Sequence, residues 1–267
     1  MEKISGMRRP RTPPAGMRSK GEPMEYQHIE RAVFLARPNR FIARVELRGR
    51  EETVHVKNTG RCRELLIPGR TVWLEGSENP ARKTKYDLVA VDKDGLFINM
   101  DAQAPNRVFA EWARAGHFVP GLTLLRPETV YGASRFDFYW EAGERRGFAE
   151  VKGVTLEEGG LALFPDAPTE RGVKHLRELA AAAGEGYECA VCFVVQMKGC
   201  RAFCPNERTH PAFGAALRDA AAAGVRVFSV DCRAAPEGLW AEDLVPVRLK
   251  MQEQTVKPAK IGCGTRK

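Results

Sequence analysis

The chain has 267 residues, 43% of them hydrophobic, and a formal net charge of +8. That length suits one large or two modest domains with a buried core. No run approaches the ~18 apolar residues that span a bilayer, the first ten residues lack the apolar core of a signal peptide, and the seven cysteines show no disulfide spacing, so a soluble protein of the reducing cytoplasm is expected.

Residues 1–23 are rich in Arg, Pro, Gly and Ser without apolar periodicity and read as a disordered basic tail. Met24 directly precedes the first organised segment and is a candidate translation start. A native intact mass beginning at Met1 or Glu2 would sink that hypothesis.

Residues 24–103 read as a domain of short strands. Val33 to Leu47 contains the turn-like break Arg37-Pro38-Asn39, and Thr53 to Lys57 alternates apolar and polar residues. Thr71 to Leu74, Asp87 to Val91 and Leu96 to Asn99 follow, separated by Pro68-Gly69 and Lys93-Asp94-Gly95. Five short strands with basic connections predict a barrel of the OB type. Strand count alone leaves an SH3-like barrel or an irregular sheet open. Residues 31–85 carry thirteen Lys/Arg against six Glu, whereas residues 86–249 carry eighteen against twenty-three Asp/Glu. This asymmetry suggests a polyanion-binding half joined to a cation-holding half. A solvated surface accounts for the charge equally well.

Residues 104–249 change character. Val108, Phe109 and Trp112 predict a helix over 106–115, and strands are expected at 122–130, 135–140 and 147–154. Thr169 should cap a helix ended near Gly184. A strand at 188–195, an alanine-rich helix at 211–223 and a strand at 225–230 complete an α/β domain with a mixed sheet. Residues 250–267 read as a second disordered basic tail.

GASRFDFYW has a period of two, which predicts Phe136, Phe138 and Trp140 on one face and Asp137 on the other. In GFAEVKGV, Glu150 and Lys152 share a face. A hairpin-like connection brings Asp137 beside them. Two carboxylates on neighbouring strands suit Mg²⁺ or Mn²⁺, which favour hard oxygen ligands. Lys152 could orient a metal-bound water or stabilise developing charge on a phosphodiester. Asp137, Glu150 and Lys152 are therefore the candidate catalytic set, of the PD-(D/E)xK nuclease type. Asp137, Glu150 and Glu128 are the candidate metal ligands, and Glu111 is a further carboxylate nearby. The bare Asp…Glu-x-Lys pattern is loose, and a solvated strand face with a salt bridge fits it too. Arg171 and Lys174 lie in the first turns of the helix capped by Thr169, where phosphate is favoured.

Cys189-x-x-Cys192 and Cys200-x-x-x-Cys204 invite a zinc reading, but Cys189 and Cys192 would face opposite sides of one strand, so core thiols are preferred. On the basic half, Arg40, Arg44, Lys57, Arg61 and Arg63 are the candidate phosphate contacts. Phe41 could stack on a base, although a core role is favoured.

Taken in order, RPNRFIARVEL, HVKNTGRCRELLIPG, RKTKYDLVAV, INMDAQAPNRVFAE, YGASRFDF, AEVKGVTL, FPDAPTERGVKHLREL and FVVQM resemble the sugar fermentation stimulation protein A (SfsA) family over about residues 31–232. The resemblance implies an N-terminal OB-like domain followed by a nuclease-like domain. It implies a DNA-binding protein without marked sequence preference, connected to regulation of sugar (maltose) utilisation genes. The nuclease-like residues would map to Asp137, Glu150 and Lys152, with Glu128 as a fourth. A metal-dependent nuclease is the alternative activity. The expected partner is DNA, through its phosphate backbone. No membrane is expected, and a homo-oligomer is compatible with the sequence.

Overall fold

Alternating burial along the first strands shows how the N-terminal half closes on itself. In the computed structural model, which describes residues 24–58 and 60–250, six strands lead the chain: β1 (Ile29–Asn39), β2 (Ile42–Leu47), β3 (Arg50–Val56), β4 (Thr71–Gly76), β5 (Tyr86–Lys93) and β6 (Leu96–Asn99). Their order is β3-β2-β1-β4-β5-β6, and a parallel pairing of β3 with β5 closes the barrel. The first five strands form the expected OB barrel, and β6 extends β5 as a hairpin. Asp94 (φ 54°) and Gly95 (φ 90°) make that turn, both in the left-handed region that a two-residue hairpin demands. Phe34, Ala43, Val45, Val54, Leu74, Leu88 and Val91 fill the interior.

The second half begins with α1 (Ala104–Trp112), which runs into a wider turn over Ala113–His117. Then come β7 (Leu124–Tyr131), β8 (Ser134–Ala142), β9 (Arg145–Val154), β10 (Leu156–Glu158), β11 (Leu161–Phe164), α2 (Glu170–Gly184), β12 (Ala190–Val195), β13 (Ala202–Pro205), α3 (Pro211–Ala222), β14 (Arg226–Ala235) and β15 (Gly238–Val245). The main sheet has the order β15-β14-β12-β9-β8-β7. Its centre, β9-β12-β14, is parallel, and both edges are antiparallel. β10, β11 and β13 form a small second sheet. The mixed α/β sheet expected from sequence is present. The four short or edge strands β10, β11, β13 and β15 are additional.

Helix α1 covers one face of the main sheet and α2 with α3 the other. Alternate residues of β12 divide between them. Val191, Phe193 and Val195 pack toward α2, while Ala190, Cys192 and Val194 pack toward α1. Cys189 and Cys192 thus belong to opposite faces, and all six described cysteines are buried free thiols. The barrel interior and the α2 side of the sheet form one continuous apolar core.

Thr169 caps α2, its hydroxyl accepting from the Gly172 amide at 3.1 Å. The helix ends at Gly184 as expected, although the left-handed residue lies two positions further on, at Gly186 (φ 92°). The tails predicted to be disordered, 1–23 and 250–267, lie outside the described residues apart from Lys250. Among the described residues, no helix is long and apolar enough to cross a membrane.

Candidate functional site

Four elements converge on the Asp137 and Glu150 carboxylates. The ladder between β8 and β9 pairs Ala142 with Arg145 through to Phe138 with Ala149. Beyond that point side chains replace it. Asp137 Oδ2 accepts from the Val151 amide at 2.8 Å, and the Asp137 amide donates to Glu150 Oε2 at 3.4 Å. This substitution breaks the alternation expected from sequence. Phe138 and Trp140 pack under α1, with Phe138 5.2 Å from Phe109. Phe136 instead packs with Phe148, centroids 5.1 Å apart, in the cluster under α2. The three aromatics do not share a face.

Asp137 Oδ1 accepts from Asn106 Nδ2 of α1 at 2.9 Å. Glu150 is 2% exposed, and its Oε1 is shared by Lys152 Nζ and His175 Nδ1. Arg171 Nε donates to His175 Nε2 at 3.3 Å. Nε2 is therefore the accepting nitrogen, and the proton sits on Nδ1, facing Glu150. The site comprises Asp137 of β8, Glu150 and Lys152 of β9, Asn106 of α1 and His175 of α2.

The two carboxyls are driven apart. Burial, then the Glu150 charge beside it, pushes the Asp137 carboxyl above its ordinary value, with Lys152, the Val151 amide and Asn106 offsetting only part. Burial also acts to raise Glu150, but the His175 hydrogen bond and the Lys152 ammonium outweigh it and hold Glu150 below the ordinary range. A second negative charge in this pocket is costly unless a cation joins it. The donor set of two adjacent carboxylates fits a hard divalent ion that keeps several waters. Among the described residues, no group of three or more His, Cys, Asp and Glu side chains gathers into a metal cage.

Other predicted residues lie elsewhere. Glu128 is exposed, with φ 52°, and pairs with Arg135 at 3.6 Å. Glu111 lies near Met24, away from the carboxylate pair. Lys174 donates to the Ala133 carbonyl at 3.1 Å and pairs with Glu178. Arg44 pairs with Glu51 on the surface. Lys57 is not a free surface cation. It sits among Glu75 (3.2 Å), Asp101 (3.3 Å) and Asp87 (3.6 Å), which claim its ammonium.

Arg40, Arg61 and Arg63 are brought together. They line a cleft of about 410 Å³ with Arg37, Asn39 and Leu66. Phe41 is not a core residue; it is 44% exposed, with the Arg40 guanidinium 4.7 Å from its ring centroid. The cleft abuts the α/β domain, where the Arg61 amide donates to Asp166 Oδ2 at 3.2 Å. Asp166 precedes α2, the helix that carries His175.

Sequence reasoning missed Asn106 entirely and gave His175 no role of its own. The signal for His175 was its position beside the buried α2 positions Leu176 and Leu179, one turn after Arg171.

Fold and site together define a two-domain protein, an OB barrel fused to a mixed α/β domain with a buried acid–acid–lysine cluster. The chain belongs to the sugar fermentation stimulation protein family: residues 35–100 match the SfsA N-terminal OB domain and residues 103–238 the sugar fermentation stimulation protein RE domain. It is 56% identical to the sugar fermentation stimulation protein homolog of Desulfitobacterium hafniense strain Y51, over 85% of this chain and 99% of that one. The homolog of Ruminiclostridium cellulolyticum is 50% identical over 85% of this chain and all of its own. Among solved structures, Pyrococcus furiosus SfsA in complex with Ca²⁺ is similar with a TM-score of 0.77 and 27% identity, covering 84% of this chain and 98% of that chain.

Proposed function

We propose that this protein binds DNA through its phosphate backbone with little sequence preference. The observation that carries this reading is the cleft of Arg40, Arg61 and Arg63. Among the described residues no acidic side chain pairs with any of the three. Elsewhere on the surface, cations such as Arg44, Arg145 and Arg208 have acidic partners. Unpaired guanidiniums lined up in a cleft favour a polyanion, because each phosphate bound releases condensed counterions. Arg171 is a further phosphate contact on this reading. The connection to sugar-utilisation genes belongs to the same proposal, and unchanged maltose-gene transcripts in a deletion strain would remove it.

Fluorescence anisotropy against a salt series tests the binding. The Arg61→Ala, Arg63→Ala double variant should bind more weakly, and the slope of log K against log [salt] should fall by about two. An unchanged slope refutes the reading.

A second reading, metal-dependent cleavage of DNA, is favoured by the convergence of Asp137, Glu150 and Lys152. The P. furiosus structure is a complex with Ca²⁺, which supports the binding of a divalent cation by this chain too. A divalent Mg²⁺ or Mn²⁺ ion bound there would lower the pKa of a coordinated water and screen the phosphodiester. Asp137 and Glu150 would hold it, Asn106 and His175 would fix the two carboxylates, and Lys152 would hold positive charge near the phosphate. Cleavage that persists in both Glu150→Gln and Lys152→Ala rules this site out as its source.

A further inference from the structure

Beside the arginine cleft, in the same β1–β2 turn, stands a platform that a duplex cannot use. Arg37 holds that turn and the cleft together: Nη1 donates to the carbonyls of Gly60 (2.9 Å) and Arg61 (2.8 Å), and Nη2 to those of Asn58 (2.7 Å) and Arg40 (2.8 Å). One guanidinium thus ties the β1–β2 turn to the loop after β3. Asn39 Oδ1 fixes the turn itself, accepting from the amides of Phe41 (2.9 Å) and Ile42 (3.1 Å). Gly60 lets the loop close against the α/β domain, since a Cβ there would lie 2.5 Å from Asp166 Oδ2. The cleft is therefore pre-organised, and little ordering is required on binding.

Within this frame the exposed groups are of two kinds. Arg61 and Arg63 offer charge. Phe41, with Arg40 over its ring, offers a flat stacking surface in the turn between the first two barrel strands. A base inside a duplex has both faces covered by its neighbours and cannot reach an aromatic ring without leaving the stack. An unpaired base can do so at once, and stacking of this kind tolerates any sequence. OB barrels present this turn and the adjoining strand face to oligonucleotides.

We infer that the cleft is a site for single-stranded DNA, with Arg61 and Arg63 on successive phosphates and the Arg40–Phe41 platform under an unpaired base. This rests on the DNA-binding reading and names its substrate class. From Asp166 to Glu170 is four residues of chain, at most about 14 Å, and from Glu170 to His175 about 7.5 Å of helix, so with the side chains at either end the cleft and the carboxylate pair lie within roughly 30 Å.

The test measures binding of the full chain to a fluorescein-labelled oligothymidylate of about 15 nucleotides, comparable to the site sizes of OB folds, and to a duplex of equal length at one salt concentration. Wild type should prefer the single strand. Phe41→Ala should lose about tenfold or more on oligothymidylate and much less on duplex, while Phe41→Trp should retain single-strand affinity. Circular dichroism of Phe41→Ala checks that the fold is kept. Equal affinity of Phe41→Ala and wild type for oligothymidylate, or equal losses on both DNA forms, overturns this inference and leaves DNA binding intact. No binding of either form by wild type overturns both.

Discussion

Replacing Lys57 with methionine should destabilise the protein without altering its affinity for DNA. The methylenes are kept and only the ammonium is lost. That ammonium lies within 3.6 Å of Glu75, Asp87 and Asp101, which are 9%, 5% and 2% exposed. Breaking a buried ion pair from one side typically costs ~3–5 kcal/mol. Two contacts soften the loss: Arg82 still donates to Asp87 at 2.9 Å, and the Gln103 amide still donates to Asp101 at 2.8 Å. The lower end, about 3 kcal/mol, is therefore expected, or roughly 6–12 °C in Tm for a chain of this size. The pH dependence follows from the carboxylates. Burial acts to raise Asp87, but Arg82, Lys57 and His55 outweigh it and hold it below its ordinary 3.8. A carboxyl depressed on folding contributes stability above its unfolded pKa and loses it as pH falls through the folded value. The gap between wild type and Lys57→Met should be widest near pH 7 and close in acid. Differential scanning calorimetry across pH 3–8 reads it. An unchanged Tm at pH 7, a gap that persists in acid, or a clear loss of DNA affinity would refute the argument.

Three further outcomes follow from the geometry. His175→Ala should weaken Mn²⁺ binding by roughly 10–100-fold in isothermal titration, because Glu150 loses the partner that orients it; unchanged affinity would remove His175 from the site. Thr169→Ala should cost about 1 kcal/mol through loss of the α2 cap, visible as a fall of ~2–4 °C in Tm, and a rise would contradict the capping role. Burial pushes the Cys62 thiol up to about 12 and Cys189 up to about 11, so the six described thiols should resist a thiol-disulfide reagent at pH 8 until denaturant is added, and rapid labelling of any of them in the native protein would count against the buried assignment.

The local rules in the sequence carried much of this structure. Alternation located β8 and β9, Thr169 located the start of α2, and the Glu-x-Lys spacing put Glu150 and Lys152 on one face. Other features depended on partners far along the chain. Lys57 read as a phosphate contact because the carboxylates that claim it stand at 75, 87 and 101, on other strands and the chain beyond. Phe136 read as a neighbour of Phe138 because nothing local says that the Asp137 carboxylate will take a backbone amide of the next strand and turn the chain. Phe41 read as core because most phenylalanines are, whereas its turn holds it outward. β15 carries Glu242 and Asp243 along the sheet edge, which masked it as a strand.

The continuous core shared by barrel and sheet has one more consequence. Strand β6 is stitched to the end of β12 by the Asn99 amide on the Gln196 carbonyl (2.9 Å) and by the Gln196 side chain on Asn99 (2.8 Å) and on the Asp101 carbonyl (3.0 Å). Lys93 adds a bond to the Glu157 carbonyl (2.6 Å). Two halves joined in this way act as a single casting, and the spacing between their working surfaces is a fixed ruler. If the arginine cleft holds a DNA strand as proposed, the offset from that grip to Glu150 is the same for every molecule, so any cut made there would fall a constant distance from the gripped nucleotides.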